Sequence, residues 1–283
     1  MQAASVEEAR AARAARAARA AQAAGRAGAL GCRVPTTRPD AVLLRALLVH
    51  HEDASGSMPA LLWRAGDGWQ MISSAVLGGG LGPRTWVLNA QVGHGYTRLD
   101  PDRHLTEIAQ RHGMTGRGVG LMTAARVTEG AFAVDGGVEA LVTAGIGVCG
   151  WAAEPAASPR DVASTPVPAE TAPVTTTPGA AAPSRAAPVP GTVNIVVALP
   201  VALSPGAMVN AVATATEAKV QALLDAGFDA SGTPTDAVCV AAREAGEEVL
   251  FAGPRSEWGS RLARAVHKAT LEAALRYRVR RLS

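Results

Sequence analysis

The clearest apolar run in the chain is GTVNIVVALPV, Gly191 to Val201, interrupted only by Asn194 and Pro200. Its continuous, β-branched character predicts a strand buried on both faces rather than one that alternates between core and water. Directly after it, Ser204 is placed to cap a helix whose first position is Pro205, where the missing amide hydrogen costs nothing. That helix is expected from Pro205 to about Ala226, with Gly227 ending it. Within it, Val209, Val212, Thr216, Val220 and Leu223 are expected to share one side, opposed to a polar stripe. Asn210, Thr214, Glu217 and Gln221 recur at i, i+4, i+7 and i+11 as a polar stripe, and Lys219 falls on the side away from Glu217. AVCVAA, Ala237 to Ala242, reads as a second buried strand, FAGP as a loop, and a last helix is expected from about Ser256 to Arg276. Upstream, MISSAVLGGG, WVLNAQVG, VGLMTAA and VEALVTAGIGV are strand candidates, and a helix capped by Asp100 opens on Pro101 and closes near Gly113. GLMTAAR before VTAGIG and ATATEAK before SGTPTDAV have a similar order, which either a duplication or the alanine-rich composition explains. Alternation of strands and helices predicts an α/β fold, a mixed buried sheet flanked by helices.

Composition changes this picture in two places. Between Ala152 and Pro190 lie nine of the 18 prolines and no aromatic residue, so this stretch is expected to be a disordered linker. It separates a front half, residues 41–151, from a back half, residues 191–283. Each half is small for an independent core, so one domain built from both is favoured. Residues 1–40 form an alanine–arginine tail. Arg10, Arg13, Arg16 and Arg19 recur every three residues, drift around a helix and leave no apolar face, so a disordered or fraying helix is expected. The tail holds seven of the 27 basic residues and three of the 24 acidic ones, which leaves 20 basic against 21 acidic in the remainder, a net charge of −1. Such a near-neutral body argues against a nucleic-acid partner. No apolar run is long enough for a membrane span, and three cysteines without CxxC spacing suggest neither disulfide framework nor zinc site. A cytoplasmic setting is expected.

With only 4% aromatic residues, the core has to rest on alanine, valine and leucine. Polar groups inside the apolar segments are therefore conspicuous. The densest set is SGTPTD, Ser231 to Asp236, at the threshold of AVCVAA. One reading is a turn whose carboxylate accepts backbone amide hydrogens. The other presents Asp236 as base or substrate clamp, with Thr233 and Thr235 as hydroxyl donors beside Gly232. Glu217 and Thr214 would extend this as a polar wall if the helix stripe faces a cleft, unless Glu217 pairs with an arginine of the front half. Asn194, in the middle of an apolar strand, needs a defined partner or a ligand. Asn89, His94 between glycines, Ser74, and Gly79 in the Gly78–Gly80 run complete the candidate binding residues. His50, His51, His104 and Glu107 offer no convincing metal ligand set. Nor is there a GxxxxGK[ST] loop for nucleotide hydrolysis.

Taken in order, MISSAVLGGG, Asn89 and Val92 of LNAQV, GLMTAA, VTAG, GTVNI, ATEAK and ASGTPTDAV resemble the adenosylcobinamide amidohydrolase family. The family loop reads nearer ATGTGTDA, so Ser231 and Pro234 depart from it while preserving a hydroxyl and stiffening the turn. The resemblance skips the tail and the linker. It implies hydrolysis of the amide linking the aminopropanol arm to the corrin ring, a small-molecule corrinoid partner and no cofactor, and it leaves oligomeric state open. It assigns no catalytic residues, so these rest on chemistry: Asp236, Glu217 and Thr235 as candidate catalytic groups. Two alternatives stay open. Thr192, following Gly191 after the linker, could become an amino-terminal nucleophile by chain cleavage, or the protein could bind corrinoid without turning it over.

Overall fold

The computed structural model describes residues 42–153 and 191–282; the tail and nearly all of the expected linker lie outside the described residues. In chain order the elements are β1 (Ala46–Asp53), β2 (Gly56–Arg64), β3 (Trp69–Ser73), β4 (Gly80–Pro83), β5 (Trp86–Gln91), α1 (Pro101–Arg111) and β6 (Gly118–Thr123). A short 3-10 turn (Val127–Glu129) leads to β7 (Ala131–Asp135), β8 (Val138–Gly145), β9 (Thr192–Leu203), α2 (Pro205–Asp225), β10 (Ala237–Arg243), β11 (Glu248–Val249) and α3 (Glu257–Leu282).

The strands form two mixed sheets. One has the order β1-β2-β5-β6, and the other β4-β3-β10-β9-β8-β7, with β11 beside the far end of β9, past a register shift in the pairing of β9 with β10. Two parallel pairs, β5 with β6 and β9 with β10, are each joined by a helix crossing over the sheet. Strands of both halves of the chain interleave in the second sheet: β3 pairs with β10, and β8 with β9.

Side-chain alternation sets the layers. Val193, Ile195, Val197 and Leu199 of β9 face α2 and α3, while Val196 and Ala198 join Trp63, Trp69, Val87 and Leu121 between the sheets. On the far side of the first sheet, Leu62 and Leu88 pack on Leu105 and Ile108 of α1. The order is therefore α1, first sheet, second sheet, and the α2–α3 pair. Strand β9 is buried on both faces as its unbroken apolar run requires, and full burial of each Val, Ile or Leu contributes about 1.5–3 kcal/mol.

Ser204 caps α2 by accepting from Ala207 N, and Gly227 leaves the helix at φ +86°. The buried face of α2 differs from the expected one. Ala207, Ala211, Ala215, Ala218 and Ala222 are buried, whereas Val209 and Thr216 are exposed. Small alanines let the helix approach the sheet and α3 closely, so contact distance outweighs side-chain size in choosing the face. Helix α3 runs on to Leu282, past the expected Arg276. Asp100 precedes α1 without a side-chain cap, since its carboxylate is taken by Arg98. GLMT of GLMTAA ends strand β6 and ATATEAK is the middle of a helix, so their similar order reflects no repeated structure. Strands β1 and β2 were not expected. Two adjacent exposed leucines, Leu47 and Leu48, break the alternation of β1, and Pro59 interrupts the pattern of β2. No helix among the described residues is long and apolar enough to cross a membrane.

Candidate functional site

The SGTPTD loop lies where β9 and β10 begin. Since these strands are parallel, α2 must return along the sheet, and its second half comes to lie beside their starting ends. This brings Lys219 to Asp236: Nζ donates to Oδ2 at 2.5 Å, with the two side chains 9% and 11% exposed. Oδ2 also accepts from Thr233 N at 3.1 Å. Oδ1 accepts from Val193 N at 2.8 Å and from Thr233 Oγ1 at 2.5 Å. Four donors thus converge on one carboxylate and oppose the desolvation of a largely buried ion pair.

Hydroxyls surround the adjoining peptide. Thr233 Oγ1 and Thr235 Oγ1 lie 2.9 Å and 3.0 Å from the Gly191 carbonyl oxygen, and Thr192 Oγ1 is 2.6 Å from Thr235 Oγ1. Glycine at 232 has a steric cause, because a Cβ there would stand 2.3 Å from Asp236 Oδ2 and 2.5 Å from Lys219 Nζ. Gly232→Ala is accordingly expected to pry the ion pair apart and lower stability by about 1–3 kcal/mol, the usual range for overpacking. Urea unfolding measures it, and an unchanged midpoint would mean the loop yields freely. Ser231 fastens the loop from outside: its amide and hydroxyl donate to Gly150 O, and Gly150 N donates to Gly232 O.

Two residues along the same face of β9, Asn194 reaches across to the first sheet. Its Nδ2 donates to Asn89 Oδ1 at 2.9 Å and to Met122 O at 3.1 Å, and Asn89 Nδ2 donates to Thr143 Oγ1 at 2.9 Å. All three side chains are buried, and Asn194 Oδ1 has no partner in this network. Thr192 and Asn194 share a strand face, so the hydroxyl cluster and the amide chain form one polar strip at the end of the intersheet core.

The remaining candidates lie apart from this strip. Ser74 Oγ accepts from Val238 N and pins the end of β3 to β10. Gly79 belongs to an exposed turn whose carbonyl, with that of Gly78, accepts from the buried Arg84 guanidinium. His94 is exposed in the loop after β5. Glu217 is exposed and, with Thr214 and Gln221, lines a groove of about 250 Å³ against Arg264 and His267 of α3. Thr214 itself is buried and donates to Ala252 O. No described contact joins Glu217 to Asp236. Sequence reasoning set Lys219 aside as a surface or structural lysine rather than an oxyanion donor, and it missed Thr143. Lys219 left one signal: it is the sole cation of α2 and falls among the buried alanines. Among sulfur nucleophiles, burial pushes the Cys239 thiol up to about 12, so it stays protonated and inert at neutral pH.

Known proteins are similar to this chain in sequence. An adenosylcobinamide amidohydrolase of Methanosarcina mazei is 28% identical over 214 residues, covering 72% of this chain and 90% of that protein. One of Halobacterium salinarum is 43% identical over 81 residues, 28% of this chain and 34% of its own length. The sequence model of adenosylcobinamide amidohydrolases matches residues 45–281, which takes in both sheets, all three helices and the whole polar strip. The chain belongs to the adenosylcobinamide amidohydrolase family.

Proposed function

We propose that this protein hydrolyses the amide between the aminopropanol arm and the corrin ring of adenosylcobinamide, releasing aminopropanol and leaving adenosylcobyric acid for corrinoid salvage or remodelling. Family membership supports the reaction class. The observation that supports this location is the gathering of three threonine hydroxyls, a buried lysine and a largely buried carboxylate at the starts of β9 and β10.

Amide hydrolysis needs a nucleophile, a path for its proton and donors for the oxyanion. In this reading the Thr192–Thr235 hydroxyl pair supplies or orients the nucleophile. Water adds its hydroxide to the acyl carbon and its hydrogen to the departing amine, so no nucleotide or redox partner is consumed. Lys219 spends one of its three ammonium hydrogens on Asp236 and brings positive charge to the cluster, suited to a developing oxyanion. Asp236, with donors on both oxygens, acts by positioning: it holds Lys219, Thr233 and the start of β9 in register.

Incubation of purified protein with adenosylcobinamide, without ATP, should yield adenosylcobyric acid and free aminopropanol by mass spectrometry. Tight binding with no product after long incubation would replace this reading by a corrinoid-binding one.

A further inference from the structure

The peptide bond between Gly191 and Thr192 is surrounded by groups that bear on its own cleavage. Its carbonyl oxygen has two hydroxyls within hydrogen-bond reach, Thr233 Oγ1 at 2.9 Å and Thr235 Oγ1 at 3.0 Å. Thr235 is a donor to that atom as it stands, and Thr233, whose one hydroxyl hydrogen also lies 2.5 Å from Asp236 Oδ1, becomes a second donor when that hydrogen turns from the carboxylate to a developing oxyanion. The side chain one bond downstream is itself a hydroxyl, able to reach the preceding carbonyl carbon through a five-membered ring, and its Oγ1 lies 2.6 Å from Thr235 Oγ1, a ready proton relay. The residue contributing the carbonyl must be glycine, since a Cβ at Gly191 would sit 2.8 Å from both Gly145 O and Val148 O.

We propose that the chain cuts its own Gly191–Thr192 bond. Thr192 Oγ1 attacks the Gly191 carbonyl carbon, and the electrons of the C=O bond move onto the oxygen, held by Thr233 once its hydroxyl hydrogen turns from Asp236, which leaves Thr235 to accept the Thr192 proton and pass on its own. The Thr192 hydroxyl proton passes by way of Thr235 to the amide nitrogen as the C–N bond breaks. This step is an isomerisation of amide to ester, with no atom gained or lost. Water then hydrolyses the ester, leaving a carboxylate on Gly191 and returning a hydroxyl to Thr192, whose freed α-amine stands beside it as a base. The fragments stay together, because β9 remains bonded to β8 and β10 to β3. The proposal rests on this cluster and not on the corrinoid reading.

Intact-mass measurement of the purified full chain under denaturing conditions tests it. The expected result is two species whose masses sum to the chain plus one water, the smaller beginning Thr-Val-Asn-Ile on N-terminal sequencing. Thr192→Ala should abolish the cut, Thr192→Ser should restore it, and Thr235→Val should slow it at least tenfold, each with circular dichroism matching the wild type. A single full-mass species after days of incubation would overturn the proposal, as would a cut that persists in Thr192→Ala. Corrinoid turnover by an uncut chain sinks self-cleavage alone, whereas a cut chain that leaves adenosylcobinamide intact supports self-cleavage and sinks the corrinoid assignment.

Discussion

Asp236→Asn is expected to lower kcat on adenosylcobinamide by roughly 100-fold or more and to destabilise the fold by about 3–5 kcal/mol, the cost of breaking a buried ion pair. The size follows from the donors. Lys219 Nζ and Thr233 N both point at Oδ2, and Val193 N and Thr233 Oγ1 at Oδ1. An asparagine must turn its amide group toward one of these sets, so donors face donors, and Lys219 is left as a buried charge without a counter-ion. Had the carboxylate been a plain turn acceptor, the same change would cost at most about 1–2 kcal/mol and leave turnover intact.

Loss of stability and loss of chemistry separate in the double variant. Combining Asp236→Asn with Lys219→Met removes the stranded cation while keeping an unbranched side chain of similar length, so most of the stability should return. Turnover should not return, because the proposed oxyanion charge is gone. Recovery of both together would make the cluster a structural clamp and move the chemistry elsewhere. Glu217→Gln is the companion measurement: Glu217 is exposed in the α2–α3 groove and joined to Asp236 by no described contact, so kcat should stay within about twofold. A large loss there would restore the helix stripe to the catalytic assignment.

What the sequence disclosed about this region, and what it hid, divides by the range of the forces involved. Strand β9, the Ser204 cap, the Gly227 stop and the hydroxyl-rich loop are local, each set by a few neighbouring residues, and all were legible. Lys219 and Asp236 are 17 residues apart and meet only because a parallel pair of strands forces α2 to double back. Asn89, Thr143 and Asn194 come from three strands and two sheets, so their hydrogen-bonded chain depends on register that no single segment encodes. The buried face of α2 misled for another reason. Hydrophobicity ranks valine above alanine, but between a helix and its close neighbours space is the scarcer quantity, and the alanines won it. Asp100 shows the same limit on a small scale, where an arginine two residues away outcompeted the expected cap.

The second large effect is expected from dividing the chain. We propose that the two halves are one folding unit, and separate fragments 1–153 and 191–283 should each fail to give a cooperative unfolding transition. The interleaving of the second sheet is the cause. Without the back half, β3 and β8 each lose a central neighbour, β10 and β9 respectively, and Trp69 and Met71 lose Cys239 and Ala241 from their packing. Without the front half, β9 and β10 keep α2 and α3 on one face but expose Val196, Ala198, Cys239 and Ala241 on the other, with both outer edges open to mispairing. Co-expressed fragments should reassemble, since the joining segment contributes none of the described pairings, and activity should return with them. By the same reasoning, removing residues 1–40 and shortening 152–190 should leave turnover within about twofold. A sharp thermal transition for either fragment alone would show that the halves are independent domains. It would also confine the site to one of them: Lys219, Thr192 and the SGTPTD loop all belong to the back half, whereas Asn89 and Thr143 belong to the front. Loss of activity on fragment separation with folding retained would show that the front half, which carries Asn89 and Thr143, is required for turnover.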